Sequence, residues 1–349
     1  MRIDSRLFLA TALVALMALT GCPKGGVPGA GGVPGGGGLP GGGGVPGGLG
    51  GSSGMVDPNT CGNYAGSEAG RRLKAFLVAT QDLATTTEET VKVVKQSCIT
   101  LGKELQMPPS DLEGETQDIC AKVYGVIDNN MKVAFKTKAG MKVKYKPAVC
   151  RVDIDAQAKA AAECEGKASA DVGATCSGVC KGKCDGTCAG KAGTGGSGGE
   201  CNGECKGTCH GSCEGHADVK ASAQCRSSAS VKASVDMKCE PAQLDIQADA
   251  KLVVDKSKAE MTIKALKAGL PEILSVKARL EPIKNAVEVW AMSAKELKDM
   301  GPKFVNSFKD QAMCISGQVA AAVGMIGKIE ANVSVSVSVS AKASGTVGG

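Results

Sequence analysis

Cysteine is the residue type with the most chemical capacity in this chain of 349 residues, which contains 17 cysteines. Four of them recur at every fourth position from Cys176 to Cys188, and four more do so from Cys201 to Cys213, with a glycine midway between successive cysteines. Thiols at this density either pair as disulfides or bind soft metals as thiolates. The chain has no Cys-x-x-Cys, the spacing typical of compact metal sites, so we expect disulfides and no metal.

The spacing also predicts which cysteines are bonded. In an antiparallel hairpin the position numbers of facing residues have a constant sum, and pairing the two blocks gives 389. The repeat alone would produce that sum, but the next two cysteines outward on each arm give it as well. The pattern therefore predicts six bridges in one register: Cys188–Cys201, Cys184–Cys205, Cys180–Cys209, Cys176–Cys213, Cys164–Cys225 and Cys150–Cys239.

Two further bridges are predicted outside this hairpin. Cys98 and Cys120 lie 11 residues to either side of Pro109, which falls between two predicted helices, so a bridge across that helix pair is expected. Cys61 and Cys314 are then paired by elimination.

The segments between the cysteines predict two long strands. From Cys150 to Cys176 every second residue is small or apolar and most of the others are charged or polar, and the second arm alternates in the same way up to Cys239. The arm from Cys150 to Cys188 would be about 125 Å long at about 3.3 Å per residue, which is a spike rather than a globule. In this register Gly182 would face Gly207, and Lys183 would face Lys206.

The C-terminal segment alternates in the same style, with a valine at every second position from Val333 to Val339. A bare two-stranded ribbon is marginal in water, so residues 332–344 are predicted to form a third strand on the base of the hairpin. The alternative is an exposed edge that assembles with other copies.

The flanks predict helices. Apolar residues from Ser67 to Gln106 follow steps of four and three, as in a coiled coil, and a second helix capped by Ser110 follows two prolines. After the hairpin, helices are predicted at 257–268, 271–299 and 302–329, with a kink or break at Pro282 and with Trp290 in the core.

The predicted fold class is therefore α+β, with a helical base and a very long disulfide-laddered hairpin. The predicted division of the chain is a signal peptide at 1–21, a tether at 22–59, a helical pair at 60–137, the Cys-rich hairpin at 138–256, a helical segment at 257–330 and a strand or tail at 331–349.

The N-terminus has the layout of an export signal. Arg2 and Arg6 precede an apolar run from Leu7 to Leu19 that is too short to span a membrane comfortably. The run ends in Leu-Thr-Gly-Cys22, which resembles the lipobox of bacterial lipoproteins. The resemblance covers residues 1–22 and implies that the signal is cut before Cys22, which then receives acyl chains. Since Pro23 stands where that family places Asp to retain proteins at the inner membrane, we expect an outer-membrane location, on either face.

Residues 23–54 contain 18 glycines and 5 prolines, and a Pro-Gly dipeptide recurs every six residues. Such a composition cannot offset the entropy of ordering, so this segment is predicted to be a tether about 30 Å long on average.

The sequence lacks the residue sets that several classes of function require. The chain has two histidines, His210 and His216, and no Ser-His-Asp set or phosphate loop, so we expect neither an enzyme nor a cofactor. Its net charge of +6 is spread among mixed charges, so no nucleic-acid partner is expected.

Three functional hypotheses follow. The first is a membrane-anchored surface lipoprotein with a structural, adhesive or interaction role, which binds other surface proteins or its own copies. The second is a Cys-rich metal-binding protein, in which His210 and His216 assist. The third is a pore-forming protein that is similar in architecture to the helical-bundle toxins with a β-tongue, although the charged tip departs from their apolar tongue.

Overall fold

The computed structural model describes residues 56–190 and 199–347, which form an α+β fold of packed helices and short antiparallel sheets. The predicted signal peptide, Cys22 and the tether up to residue 55 lie outside the described residues. The elements in chain order are α1 (Glu68–Glu104), α2 (Thr116–Ala134), β1 (Met141–Lys146), β2 (Val149–Asp153), α3 (Ile154–Glu165), β3 (Ala174–Cys176), β4 (Val179–Gly190), β5 (Glu200–Glu214), β6 (Ala217–Val219), α4 (Ala223–Val235), β7 (Lys238–Glu240), β8 (Gln243–Ala248), α5 (Lys256–Asn306), α6 (Ala312–Gly324) and α7 (Ile326–Val347).

Helix α1 lies close to its predicted bounds, whereas α2 begins later than predicted. Ser67 caps α1, since its hydroxyl oxygen accepts a hydrogen bond from the backbone N–H of Gly70 at 3.0 Å. The prediction that Ser110 caps the second helix is wrong, because residues 109–112 form a short 3₁₀ turn and α2 begins only at Thr116.

Helices α1 and α5 meet around Trp290, which is fully buried as predicted. The indole lies parallel to the ring of Phe76 with centroids 6.2 Å apart, and its N–H donates to the hydroxyl oxygen of Thr80 at 2.8 Å. The contact satisfies the polar atom of the largest core side chain and fixes how the two longest helices pack.

Pro282 does not break the helix, and the separate helices predicted at 257–268 and 271–299 are wrong, because α5 runs as one helix of 51 residues past three prolines. A kink at Pro282 stays a prediction. An interior proline costs about 3 kcal/mol by removing a hydrogen bond and crowding the preceding turn. The side chains of Ile273, Leu274 and Ile283 are each no more than 1 % exposed, and their burial offsets the cost of the prolines.

The base of the hairpin has the register that the cysteine spacing predicts. Strands β1 and β8 pair antiparallel with Met141 opposite Ala248, and β2 pairs with β7 with Cys150 opposite Cys239, so both pairs of position numbers add to 389. One register thus extends from the outer bridge to a second small sheet.

The hairpin is not continuous, because α3 and α4 interrupt its arms, and a 125 Å spike is ruled out. The alternation of alanine with polar residues predicts a strand, yet alanine favours helix and is depleted in strands. Local signals support the helix: Asp153 caps α3 by accepting from the N–H of Ala156 at 3.0 Å, and Gly166 ends it in the left-handed conformation with φ of 69°. The bridge Cys164–Cys225 then joins two helices rather than two strands.

The predicted third strand at 332–344 is also wrong, because this segment belongs to helix α7. Its buried positions include Ile329, Ser336, Val339, Ser340 and Ala343, whose spacing is that of one helix face. Small serines on this face let α7 pack against α1 and α5, and this packing outweighs the weak helix propensity of valine and serine. The edge at which copies could have assembled is therefore absent from this part of the described chain.

Replacing Trp290 by alanine should lower the free energy of unfolding by about 3–5 kcal/mol, since it removes the ring stacked on Phe76 and leaves a cavity between the helices. Denaturant unfolding followed by circular dichroism, with the bridges intact, measures this loss. Met292→Ala on the same helix, where the side chain is 56 % exposed, is the control and should change stability by no more than about 0.5 kcal/mol. Equal losses in the two variants would contradict the assigned core.

Candidate functional site

Every cysteine of the described residues belongs to a disulfide, and the eight bridges join the predicted pairs. They are Cys61–Cys314, Cys98–Cys120, Cys150–Cys239, Cys164–Cys225, Cys176–Cys213, Cys180–Cys209, Cys184–Cys205 and Cys188–Cys201. The ladder between β4 and β5 is thereby confirmed. So many bridges are typical of proteins outside the reducing cytosol and are consistent with an extracellular location.

Strands β4 and β5 form a hairpin that coils on itself, which we call the bridged coil (residues 176–190 and 200–214). Residues 179–183 pair with residues 210–214 along one edge and with residues 200–204 along the other. Lys183, for example, lies opposite both His210 and Glu200. The coiling pairs backbone groups on both edges of β4, so this stretch presents no free edge to which another chain could add a strand.

The strand register and the bridges of the coil differ by one repeat unit. Cys184 lies opposite Cys209 in the ladder, where position numbers add to 393, whereas it is bonded to Cys205, where they add to 389. Each bridge of the coil therefore joins cysteines that are four positions out of strand register and crosses the inside of the coil. The Cα atoms of these four bridges are 5.7–6.1 Å apart, within the usual range.

This offset corrects the predicted facing pairs. Gly182 lies opposite Gly211 and also opposite Cys201, rather than opposite Gly207, and Lys183 does not face Lys206. The like-charge contact expected for a flat ribbon is therefore avoided. A flat ribbon would also have left the bridges in water, whereas seven of the eight cysteines of the coil are buried and Cys188 is partly buried.

Glycine at alternate inward positions is what allows the strands to approach so closely. At Gly182 the backbone has φ of 145°, and a Cβ atom there would lie 2.1 Å from the carbonyl oxygen of His210. No other residue fits that space without moving the opposite strand. In each Cys-x-Gly-x repeat the cysteine thus forms a cross-link and the glycine allows the opposite backbone to approach closely.

Charged side chains cover the outside of the coil and dock it on α3. The ring of His210 has Nδ1 3.3 Å from Asp155 and Nε2 3.0 Å from Asp185, and the N–H of Gly211 donates to Asp155 at 2.9 Å. The ammonium of Lys183, followed by His210, lowers the pKa of Asp185 below its ordinary value. These contacts hold the coil against a helix of the base.

A second charge cluster joins the coil to the β2–β7 pair. The guanidinium of Arg151 donates to Glu214 at 3.0 Å and to Glu240 at 2.7 Å, while the ammonium of Lys181 lies 2.6 Å from Glu214. Burial raises the pKa of Glu214, but hydrogen bonds from Lys181 and Arg151 outweigh it and leave that pKa below its ordinary value. The pKa of Glu240 is lowered as well, chiefly by the hydrogen bond from Arg151, so both carboxylates stay ionised at neutral pH and tie β2, β4, β5 and β7 together.

Sequence reasoning missed both charge clusters. Asp155 and His210 are separated by 55 positions, and no local pattern indicates that they meet. The one available signal was Asp153 as a helix cap, which would have placed Asp155 in the first turn of a helix rather than on a strand.

Three clefts lie away from the bridged coil. One of about 500 Å³ is lined by Phe135, Met141 and Lys132, one of about 450 Å³ lies along α5 beside Met292, and one of about 440 Å³ lies between α1, α4 and α5. Within residues 56–190 and 199–347 no group of three or more His, Cys, Asp or Glu side chains is arranged to hold a metal ion.

One stretch of helix, Lys309–Thr346, is long and apolar enough to cross a membrane by length and composition, and 17 % of its most apolar window is buried. It includes α6 and α7. Such a stretch by itself is weak support for a membrane span.

No family model, curated protein or solved structure matches this chain. The cysteines of the bridged coil are all bonded, and seven of the eight are buried. The charged groups at its junctions are paired with one another, and its outer face is polar.

Gly182→Ala should disturb the close approach of β4 to β5 and yield mixed or missing bridges at Cys180 and Cys184. Peptide mapping by mass spectrometry after alkylation without reduction measures the bridges. Gly173→Ala, where a Cβ would have its nearest neighbour at an ordinary 3.8 Å, is the control and should retain all the native pairs. A native bridge map in both variants would show that the coil does not depend on this glycine.

Proposed function

We propose that this protein is an exported, acyl-anchored lipoprotein without enzymatic activity, and that the bridged coil is its structural, adhesive or interaction element. The observation that carries the proposal is the coil itself. Its inside consists of buried cystines and its outside of charged and polar side chains, so it is built to keep its shape in an oxidising exterior.

The outer face of the coil supports a partner of mixed polarity, such as another surface protein. Lys183, Asp185, Glu204 and Lys206 are exposed on it, two positive and two negative, and this mixture favours specific recognition over general attraction to an anionic polymer. The same charges argue against the coil entering a membrane as the tongue of a pore. The metal-binding hypothesis loses its ligands, because the thiols of the described chain are bonded to each other.

The proposed anchor is supported by the resemblance of residues 19–22 to a lipobox. Acyl chains on Cys22 would attach the N-terminal end of the mature protein to a membrane. The start of the described chain is held by α6, because the N–H of Asp57 donates to the side chain of Gln318 at 2.8 Å and Cys61 is bonded to Cys314. The anchored protein would lie on either face of an outer membrane.

Cys22→Ser should move the exported protein from the membrane fraction to the soluble fraction, because the residue that would carry the acyl chains is gone. Fractionation of cells and the intact mass of the mature chain measure this. Lys24→Ser changes the tether and leaves the lipobox intact, so it should stay in the membrane fraction with acyl chains on Cys22. A wild-type chain without acyl mass would overturn the anchor.

A photoreactive residue at Lys206, on the outside of the coil, should cross-link to one discrete partner on intact cells. The same residue at Lys277, exposed on α5 of the base, is the matched control and should give that product weakly or not at all. Products that are the same from both positions, or absent from both, would count against the coil as the interacting element.

A further inference from the structure

A cleft of about 500 Å³ lies where the end of α2 meets β1 and the last turn of α7. This volume is typical of sites that hold small molecules. Backbone hydrogen bonds fix the end of α2, since the N–H of Val254 donates to the carbonyl oxygen of Ala134 at 2.8 Å and the N–H of Lys136 donates to that of Leu252 at 2.9 Å. The fold therefore forms the cleft without help from a ligand.

The floor of the cleft is apolar. It consists of the buried ring of Phe135 and the partly buried side chains of Met131, Met141 and Val143. A Cβ atom at Gly140 would lie 2.5 Å from the ring of Phe135, so the backbone packs directly against the ring and holds it in position. An aromatic wall flanked by two flexible methionines can adapt to the apolar part of a ligand.

The rim of the cleft is polar and carries more positive than negative charge. Lys132 and Lys136 line it and are exposed, with Asp128 as the opposing charge. Among the residues that the structure describes, no carboxylate lies within 4.0 Å of either ammonium, whereas Lys142 on β1 pairs with Asp249 at 3.1 Å. The two ammonium groups are therefore in a position to bind an anion from solution.

The surrounding segment adds to this positive potential. From Asn129 to Pro147 the sequence contains six lysines and no acidic residue. Lys144 and Lys146 are exposed on β1 and alternate with Val143, so they lie on the other face of the strand, outside the cleft. A cleft with apolar walls focuses the potential that such charges create.

The two other clefts have the opposite balance of charge. Carboxylates outnumber basic groups among the residues that line them, which include Glu89, Glu272 and Arg279 in one and Lys295, Glu296 and Asp299 in the other. An apolar floor together with a basic rim therefore distinguishes the cleft between α2 and β1.

We propose that this cleft binds an amphipathic anion, a molecule with one anionic head group and one apolar chain. The apolar chain lies on the floor of the cleft, and the head group lies beside Lys132 and Lys136, which bind a carboxylate or a phosphate as point charges. The lining residues belong to α2, β1, α7 and the turn between α2 and β1. The site is thus separate from the bridged coil and from the proposed anchor.

The affinity of the cleft for single-chain amphiphiles tests this assignment. Isothermal titration calorimetry is done on the exported protein, with its bridges intact and freed of lipid and detergent, below the concentration at which the amphiphiles form micelles. Dodecanoate and dodecyl phosphate supply the two head groups, and dodecyltrimethylammonium has the same chain with a positive charge. One or both anions should bind about tenfold more tightly than the cation, and the tighter anion assigns the head group. Shortening the chain of that anion should weaken binding by up to about fourfold for each methylene removed.

Charge substitutions test the position of the head group. Lys132→Gln with Lys136→Gln should weaken binding of the anion by about tenfold, as expected for the loss of two exposed ion pairs. Lys144→Gln with Lys146→Gln removes the same charge outside the cleft and is the matched control, with a change of less than about twofold because salt screens distant charges. Asp128→Asn should tighten binding by about threefold, since it removes the negative charge from the rim.

Methyl NMR with isotope-labelled methionine locates the ligand. The signals of Met131 and Met141 should shift on binding, whereas that of Met313, which is 84 % exposed outside the cleft, should not.

Four outcomes overturn the proposal: no binding of either anion, equal binding of the cation, no greater weakening from the cleft lysines than from the control lysines, or a shift at Met313 as large as those at Met131 and Met141. The last would show that the amphiphile collects on any exposed apolar side chain instead of entering the cleft.

Discussion

The covalent register between the two arms of the hairpin is the constraint on which the rest of the structure depends. Six nested bridges from Cys150–Cys239 to Cys188–Cys201 fix which residues of the arms lie near each other, whatever secondary structure they adopt. The bridges fix this proximity but not the secondary structure between them. The same pair of arms therefore contains strands, then helices α3 and α4, then strands again. The chain has few aromatic residues for a large core, and cross-links that limit the unfolded ensemble compensate for this.

The bridged coil shows how a repeat of four residues produces a shape that two flat strands would not. Bridges at every fourth position are buried only if the strands enclose them. Glycine between the bridges lets the opposite backbone come close enough to form that enclosed interior. Gly182 and its strand partner Gly211 both have positive φ and would clash with the facing carbonyl if they carried a Cβ atom. Coiling then buries most of the cystines and pairs both edges of β4 over residues 179–183, so bridges and hydrogen bonds offset by four residues hold the same shape.

The bridge pairs could be predicted from the sequence because a constant sum depends only on position numbers. Secondary structure was harder, since alternation at every second residue is consistent with a strand but does not exclude a helix when the residues are small. Ala158, Ala160 and Ala162 alternate with other residues and yet lie in α3, and Val335 and Val337 do the same in α7. Alanine propensity and the caps at Asp153 and Gly166 favour the helix in α3, whereas packing of small side chains against α1 and α5 favours it in α7. The contact of Asp155 with His210 depends on the coil and could not be predicted.

The bridges also belong to a continuous set of contacts that connects the start of the described chain to the coil. Cys61–Cys314 joins the start of the described chain to α6, and Trp290 and the buried face of α5 join that region to α1. From there Arg72 donates to Glu165 of α3, at 2.7 Å, and α3 holds the coil through Asp155. The side chain of Glu165 is 3 % exposed and also accepts the N–H of Ser222, so its carboxylate is buried and hydrogen-bonded from two sides. A pull applied N-terminal to Val56 would therefore reach the coil through covalent bonds, packed helices and ion pairs, without requiring any of the small sheets to bear it alone.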